Sequence, residues 1–226
     1  MRNERKFTAD GCLAEFALAW LKHVCMSDSE FPAACISSIY FDTPDLASYQ
    51  EKANGDFLKT KVRLRWYNPT VKDELGQITA FLEIKMKVGS GCEKVRKKIL
   101  FPEGWLDRVD FQDEVLARII LQNVYELGER ISSQILPVLT VRYDRERFVC
   151  PVSGARVSLD TSIGTTQANP ELLPQVGPVQ LETAVLEIKE DTISELPWLS
   201  TLQRSGFRAQ SFSKYGMCMS NLVHGV

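Results

Sequence analysis

Three runs between Lys61 and Lys98 alternate charged and apolar residues. KVRLRWY sets Lys61, Arg63 and Arg65 against Val62, Leu64 and Trp66. AFLEIKMKV sets Glu83, Lys85 and Lys87 against Leu82, Ile84, Met86 and Val88, and EKVRKKIL sets Lys94, Arg96 and Lys98 against Val95 and Ile99. A period of two is that of a half-buried β-strand. Like charges facing each other across a ladder destabilise it, so an anion is needed to neutralise that face. Arg2, Glu4 and Lys6 repeat the pattern, as do Arg156 with Asp160 and Glu187 with Lys189. Any one of these strands alone fits a solvated sheet face. Together, cations outnumber carboxylates, mostly in E-x-K or R-x-R spacing, where a solvated face would mix both signs with Ser, Thr and Gln. If the strands close into a barrel, its interior is a cationic tunnel with a few acidic groups. A polyphosphate chain suits such a tunnel, because arginine forks and lysine point charges both match phosphate oxygens. The carboxylates suit a hard divalent cation that bridges those oxygens.

The elements that must carry these residues follow from patterning. Arg2 to Phe7 alternates as a strand. Thr8 or Asp10 can cap a helix after it, with Leu13, Phe16, Trp20 and Val24 as its apolar stripe. Ser27 to Pro32 is loop-like, and ISSIYFD (Ile36 to Asp42) is a strand ended by Thr43-Pro44-Asp45. Leu46 to Asn54 fits a short helical or irregular segment. Asn68 to Gly76 is a polar loop, and Pro102 ends the third basic strand. Phe111 to Ile131 carries Val115, Ile119, Ile120, Val124 and Leu127 at helical spacing, with Asp113 and Glu114 at its positive end. Leu139 to Val149, Arg156 to Thr161 and Ala184 to Glu190 are strands, and Thr165 to Pro178 is a loop. Pro197 sits near the start of a short helix through Gln203, and Ser213 caps a last helix to about Val223 with Lys214 in its first turn. The result is α+β: antiparallel strands with flanking helices, and no linker or repeat dividing residues 1–226.

Composition narrows the function classes. At 226 residues, 44% hydrophobic and 25% charged, the chain fits one large globular domain. A net charge of −2 makes the basic strands a local arrangement and argues against a nucleic-acid coat. No apolar run is long enough to span a membrane, and MRNERKF lacks the apolar core of a secretory signal, so a cytoplasmic location is expected. The sequence leaves a membrane partner and the oligomeric state open. The six cysteines are scattered without a CxxC pair, which fits reduced, mostly buried thiols. His23 and His224 are too few for a histidine metal site.

SIYFDT (Ser38 to Thr43), KVRLRWY, LEIK (Leu82 to Lys85 and again Leu186 to Lys189), RYDRERF (Arg142 to Phe148), RVSLDT (Arg156 to Thr161) and SKY (Ser213 to Tyr215) together resemble another protein domain. It is the polyphosphate polymerase domain of the vacuolar transporter chaperone (VTC) family, within the CYTH or triphosphate tunnel metalloenzyme group. The resemblance runs in order along nearly the whole chain. It implies an antiparallel β tunnel barrel, a divalent metal (Mn²⁺ or Mg²⁺), and transfer of the terminal phosphate of ATP to a growing polyphosphate chain. Other CYTH proteins hydrolyse triphosphates or act as adenylate cyclases.

Position by position, the resemblance implies that Lys6, Arg63, Arg65, Lys85, Arg145, Arg156 and Lys214 grip phosphates. Tyr143 would help position the terminal phosphate beside Arg145. Glu187 would be the principal metal ligand, with Glu83 and Glu4 as further candidates. Lys87, Lys98 and Lys189 match by face and charge. The broader group opens on ExExK, whereas this chain has Arg2, Glu4 and Lys6; the missing first carboxylate favours the VTC-like branch and argues against two metals. Two alternatives remain: a tripolyphosphate or other triphosphate hydrolase, and a non-catalytic polyphosphate-binding module.

Overall fold

The computed structural model describes residues 3–54, 58–68, 72–88, 91–129, 131, 134–174 and 177–224, with the side chains of all of these except 52, 53, 58, 59, 87, 88 and 92. In chain order the elements are β1 (Asn3–Asp10), a 3₁₀ turn (Gly11–Leu13), α1 (Ala14–Val24), β2 (Met26–Ser27), β3 (Ala33–Asp42) and α2 (Ala47–Ala53). There follow β4 (Leu58–Asn68), β5 (Gln77–Val88), β6 (Gly91–Pro102), α3 (Glu114–Glu126), β7 (Leu136–Val149) and β8 (Arg156–Ala168). The chain ends with β9 (Val179–Gln180), β10 (Thr183–Glu190), α4 (Leu199–Ser205), β11 (Arg208–Ala209) and α5 (Lys214–His224). The fold is the expected α+β, with antiparallel strand pairs.

The chain forms two compact units, each assembled from three segments. Unit 1 comprises Met1–Ile36, Arg142–Gly164 and Gln180–Met217. Its strands run in the hydrogen-bonded order β11-β1-β10-β8-β7. Phe7, Val157, Leu159, Leu186 and Ile188 point to one face, where Ala17 and Leu21 of α1 and Leu199 and Leu202 of α4 bury them. Alternation then sends Lys6, Asp160 and Glu187 to the other face. Of the expected α1 stripe, Leu13, Trp20 and Val24 pack against this core and Phe16 does not. Ala17 and Leu21 are fully buried, while Phe16 is 44% exposed; the small Ala17 side chain lets the helix turn that edge toward the sheet. Asp10 caps the 3₁₀ turn, accepting from the Cys12 N–H at 2.9 Å, and Thr8 stays inside β1.

Unit 2 comprises Ser37–Val141, Thr165–Val179 and Cys218–Val226, with strand order β3-β4-β5-β6. Val62, Leu64 and Trp66 of β4 join Leu82 and Ile84 of β5 and Leu116, Ile120 and Val124 of α3 in one core. Each large side chain removed from water there contributes roughly 1.5–3 kcal/mol. The cationic positions of the three basic strands occupy the opposite face. In α3, Asp113 caps through the Val115 N–H at 3.0 Å, and Val115 itself is exposed while Leu116 is buried. β8 continues to Ala168, through residues expected to form a loop. Among the described residues no helix is long and apolar enough to cross a membrane.

Candidate phosphate-binding site

In unit 1 the pairing of β1 with β10 sets Lys6 opposite Glu187 and Glu4 opposite Lys189. Opposite charges across a ladder stabilise it, and here they interlock. The Lys6 ammonium lies 2.8 Å from Glu4 Oε1 and 4.0 Å from Glu187 Oε2. The Lys189 ammonium lies 2.5 Å from Glu187 Oε1 and 3.8 Å from Glu4 Oε2. Arg145, on β7, adds a third cation 3.7 Å from Glu187 Oε2. Burial alone would raise the Glu187 carboxyl, but Lys189, Arg145 and Lys6 together hold it well below the usual carboxylate range. Burial likewise opposes the charge of Lys6, and Glu187 and Glu4 outweigh it, leaving the ammonium above its ordinary value.

A second carboxylate anchors the same face. Asp160 is completely buried, and it accepts from Arg145 Nε at 2.5 Å and Nη2 at 2.7 Å and from Lys214 Nζ at 2.5 Å. The buried Tyr143 ring lies 5.4 Å from the Arg145 guanidinium and 4.4 Å from the Lys214 ammonium, within the range of cation–π attraction. Ser213 caps α5 by accepting from the Gly216 N–H at 3.2 Å, as its position before Lys214 predicts. Arg156 lies opposite Lys189 through β10 and is exposed.

Unit 2 carries its own nest. Register places Arg63 opposite Glu83 and Glu83 opposite Arg96. The buried Glu83 carboxylate lies 2.6 Å from both Arg63 Nη2 and Lys94 Nζ, 3.7 Å from Arg65 and 3.6 Å from Arg96. Burial would raise its carboxyl, but Arg63, Arg65 and Lys94 bring it down to about 2. Arg63 also donates to the Tyr40 hydroxyl at 3.1 Å, and Arg65 to Ser38 Oγ at 3.3 Å. The Arg96 guanidinium stacks 3.6 Å above the Phe81 ring centroid. Lys85 faces Lys61 and Lys94, and Lys98 faces Phe81; both lysines are exposed. Lys87 has its backbone in β5, and its side chain lies outside the described residues; Arg2 is likewise outside them.

The expected residues thus fall into two groups. Glu4, Lys6, Tyr143, Arg145, Glu187, Lys189 and Lys214 come together in unit 1, and Arg63, Arg65 and Glu83 in unit 2. Three further residues shape these nests: Asp160, Lys94 and Arg96. All three stood on the alternating charged faces, but cross-strand register, which the sequence does not display, is what makes them partners.

For a divalent metal, the unit 1 donors are Glu187 and Glu4, hard oxygens joined through the same two lysines. Among the described residues no group of three or more His, Cys, Asp or Glu side chains gathers to hold an ion. That donor set fits Mg²⁺ or Mn²⁺ in the mode where one or two carboxylates and the substrate's phosphates share the ion with water. It does not make an all-protein cage.

The sequence matches the VTC domain family over residues 1–223. No curated protein matches it. Among solved structures, a candidate adenylate cyclase from Bacillus halodurans is 14% identical with a TM-score of 0.47, over 89% of this chain and 86% of that one. A candidate adenylate cyclase from Vibrio parahaemolyticus is 13% identical with a TM-score of 0.44, over 92% and 94%. The chain therefore belongs to the VTC domain family.

Proposed function

We propose that this chain is a metal-dependent phosphotransferase that moves the terminal phosphate of ATP onto a growing polyphosphate chain. The observation that carries this reading is the unit 1 nest. Lys6, Arg145, Lys189 and Lys214 surround Glu4, Glu187 and Asp160 on one sheet face, so four cations exceed the three carboxylates by one charge. The surplus charge suits a phosphate chain.

In the reaction, an oxygen of the acceptor's terminal phosphate attacks the γ-phosphorus of ATP, the bond to the β-phosphate bridging oxygen breaks, and ADP leaves. No covalent protein intermediate is involved. Lys6, Arg145 and Lys214 align the reacting phosphate and neutralise the charge that spreads over its oxygens. Lys189 and Arg156 extend the grip along the chain, and Tyr143 supports Arg145 and Lys214 from beneath. Within unit 2, Arg63, Arg65, Lys85 and Lys98 offer phosphate contacts of their own. Glu187, with Glu4 beside it, would hold Mn²⁺ or Mg²⁺, which supplies further neutralisation of phosphate charge; Glu83 is the remaining candidate ligand.

The test is incubation of the pure protein with ATP and Mn²⁺, with long-chain polyphosphate separated from free phosphate. Long-chain product is expected. Free phosphate alone would replace the polymerase with a triphosphate hydrolase. Tight polyphosphate binding without turnover of ATP or tripolyphosphate would leave a binding module.

A further inference from the structure

We propose that Asp160 is a positioning residue: its buried carboxylate fixes the Arg145 guanidinium and the Lys214 ammonium so that both meet a phosphate group already oriented. This rests on the phosphoryl-transfer reading above. Asp160 has no exposed surface, so it does not itself reach a substrate; its effect passes through the two cations. Three separate parts of the chain meet on it. Arg145 comes from β7, Asp160 from β8 and Lys214 from the first residue of α5.

The geometry divides the donors. Arg145 spends Nε and one Nη2 proton on Asp160, at 2.5 and 2.7 Å, and Glu187 Oε2 lies 3.7 Å from the same Nη2; a guanidinium has five N–H groups, so Nη1 is left for an anion. Lys214 spends one of its three protons on Oδ2. The Tyr143 ring backs both cations, which closes one side to them. Without the carboxylate, two long and flexible side chains would have to be ordered by each incoming phosphate. Correct alignment of donors ahead of the reaction is the source of transition-state stabilisation in sites of this kind.

An internal ion pair that only supports the fold makes a different prediction. Its loss lowers the folded fraction but leaves the kinetic constants of the folded protein unchanged. Positioning separates binding from turnover. Asp160→Asn removes one negative charge near a polyanion, so attraction for phosphate is not weakened, while alignment is lost.

The experiment uses the full chain as wild type, Asp160→Asn and Asp160→Glu. Folding is checked by circular dichroism, tripolyphosphate affinity by calorimetry, and turnover with ATP and Mn²⁺. For Asp160→Asn the expectation is a tripolyphosphate Kd weakened no more than about threefold and a kcat lowered about 10²-fold, the size of losing one aligned donor. Asp160→Glu keeps the charge and displaces it by one methylene, so kcat falls at least about tenfold at nearly wild-type affinity. This variant decides the matter if the Asn variant does not fold. A folded variant with wild-type kcat, or one whose loss lies wholly in affinity, overturns the assignment. A wild type that binds tripolyphosphate but turns over nothing removes the catalytic reading and this inference with it. A wild type that does not bind removes the phosphate grip itself.

Discussion

Glu83 shows how much one side chain decides on a cationic face. Four cations lie within 4 Å of its carboxylate, and a neutral residue there would leave their mutual repulsion without that compensating charge. Its carboxyl is depressed from 4.5 to about 2 in the folded protein. A depressed carboxyl adds stability that is present above the unfolded value and is lost as pH falls through the folded one. Between about pH 5 and pH 2 the wild type should therefore lose stability on the order of 3 kcal/mol from this group alone. Glu83→Gln should show the loss already at pH 7 and a flatter acid limb, read by urea denaturation at a series of pH values. An unchanged acid limb in the variant would remove the assignment. Alternation alone made the face of Arg63, Arg65, Lys85 and Glu83 legible. It could not show that Arg63 grips Glu83 across 20 residues, because that depends on the register set between strands. The same limit hid Asp160: RVSLDT put it on the charged face, but nothing local announces a partner 54 residues further on.

Elements were legible where a local rule acts alone. The three basic strands and the cap at Ser213 lie where sequence places them, while α3 starts at Glu114, with Asp113 as its cap, and not at Phe111. The α1 stripe was legible at Leu13, Trp20 and Val24 but not at Phe16, because packing there favoured Ala17; closest approach to a sheet rewards a small residue that hydrophobicity alone does not flag. The cap at α5 has a consequence for the site, since Lys214 is the first residue of that helix. Ser213→Ala removes the acceptor for the Gly216 N–H, and such a loss costs about 1 kcal/mol. Thermal unfolding should register that decrease. Fraying of the first turn also loosens Lys214 from Asp160, so turnover should fall more than tripolyphosphate affinity does. Full activity at a lowered melting temperature would confine the cap to stability and separate it from the site.

At the scale of the molecule, a net charge of −2 coexists with faces on which cations prevail, so attraction for a polyanion comes from local placement. The ionisation of those faces is pinned at both ends. Glu187, Asp160 and Glu83 are held below the ordinary carboxylate range, and Lys6 and Arg145 above their ordinary values. In each carboxylate burial acts first and in the opposite sense, and the neighbouring cations overcome it. Across roughly pH 5 to 9 these groups therefore keep one charge state, and with it one affinity for a fixed anion. The phosphate ligand does change, because a dianionic terminal phosphate takes up a proton with a pKa near 6. Tripolyphosphate affinity should accordingly be flat from about pH 7 to 9 and decline below about pH 6, following the protonation of the ligand. Lys94 is the exception on the alkaline side. Burial lowers its ammonium below the ordinary value despite Glu83, so it is the first of these cations to neutralise, and a Lys94→Met variant should lose any alkaline decline that the wild type shows. Calorimetric titration across pH, with the ligand's own protonation measured separately, checks both limbs. A transition near pH 7 that does not follow the ligand would mean that a protein group other than these governs the grip.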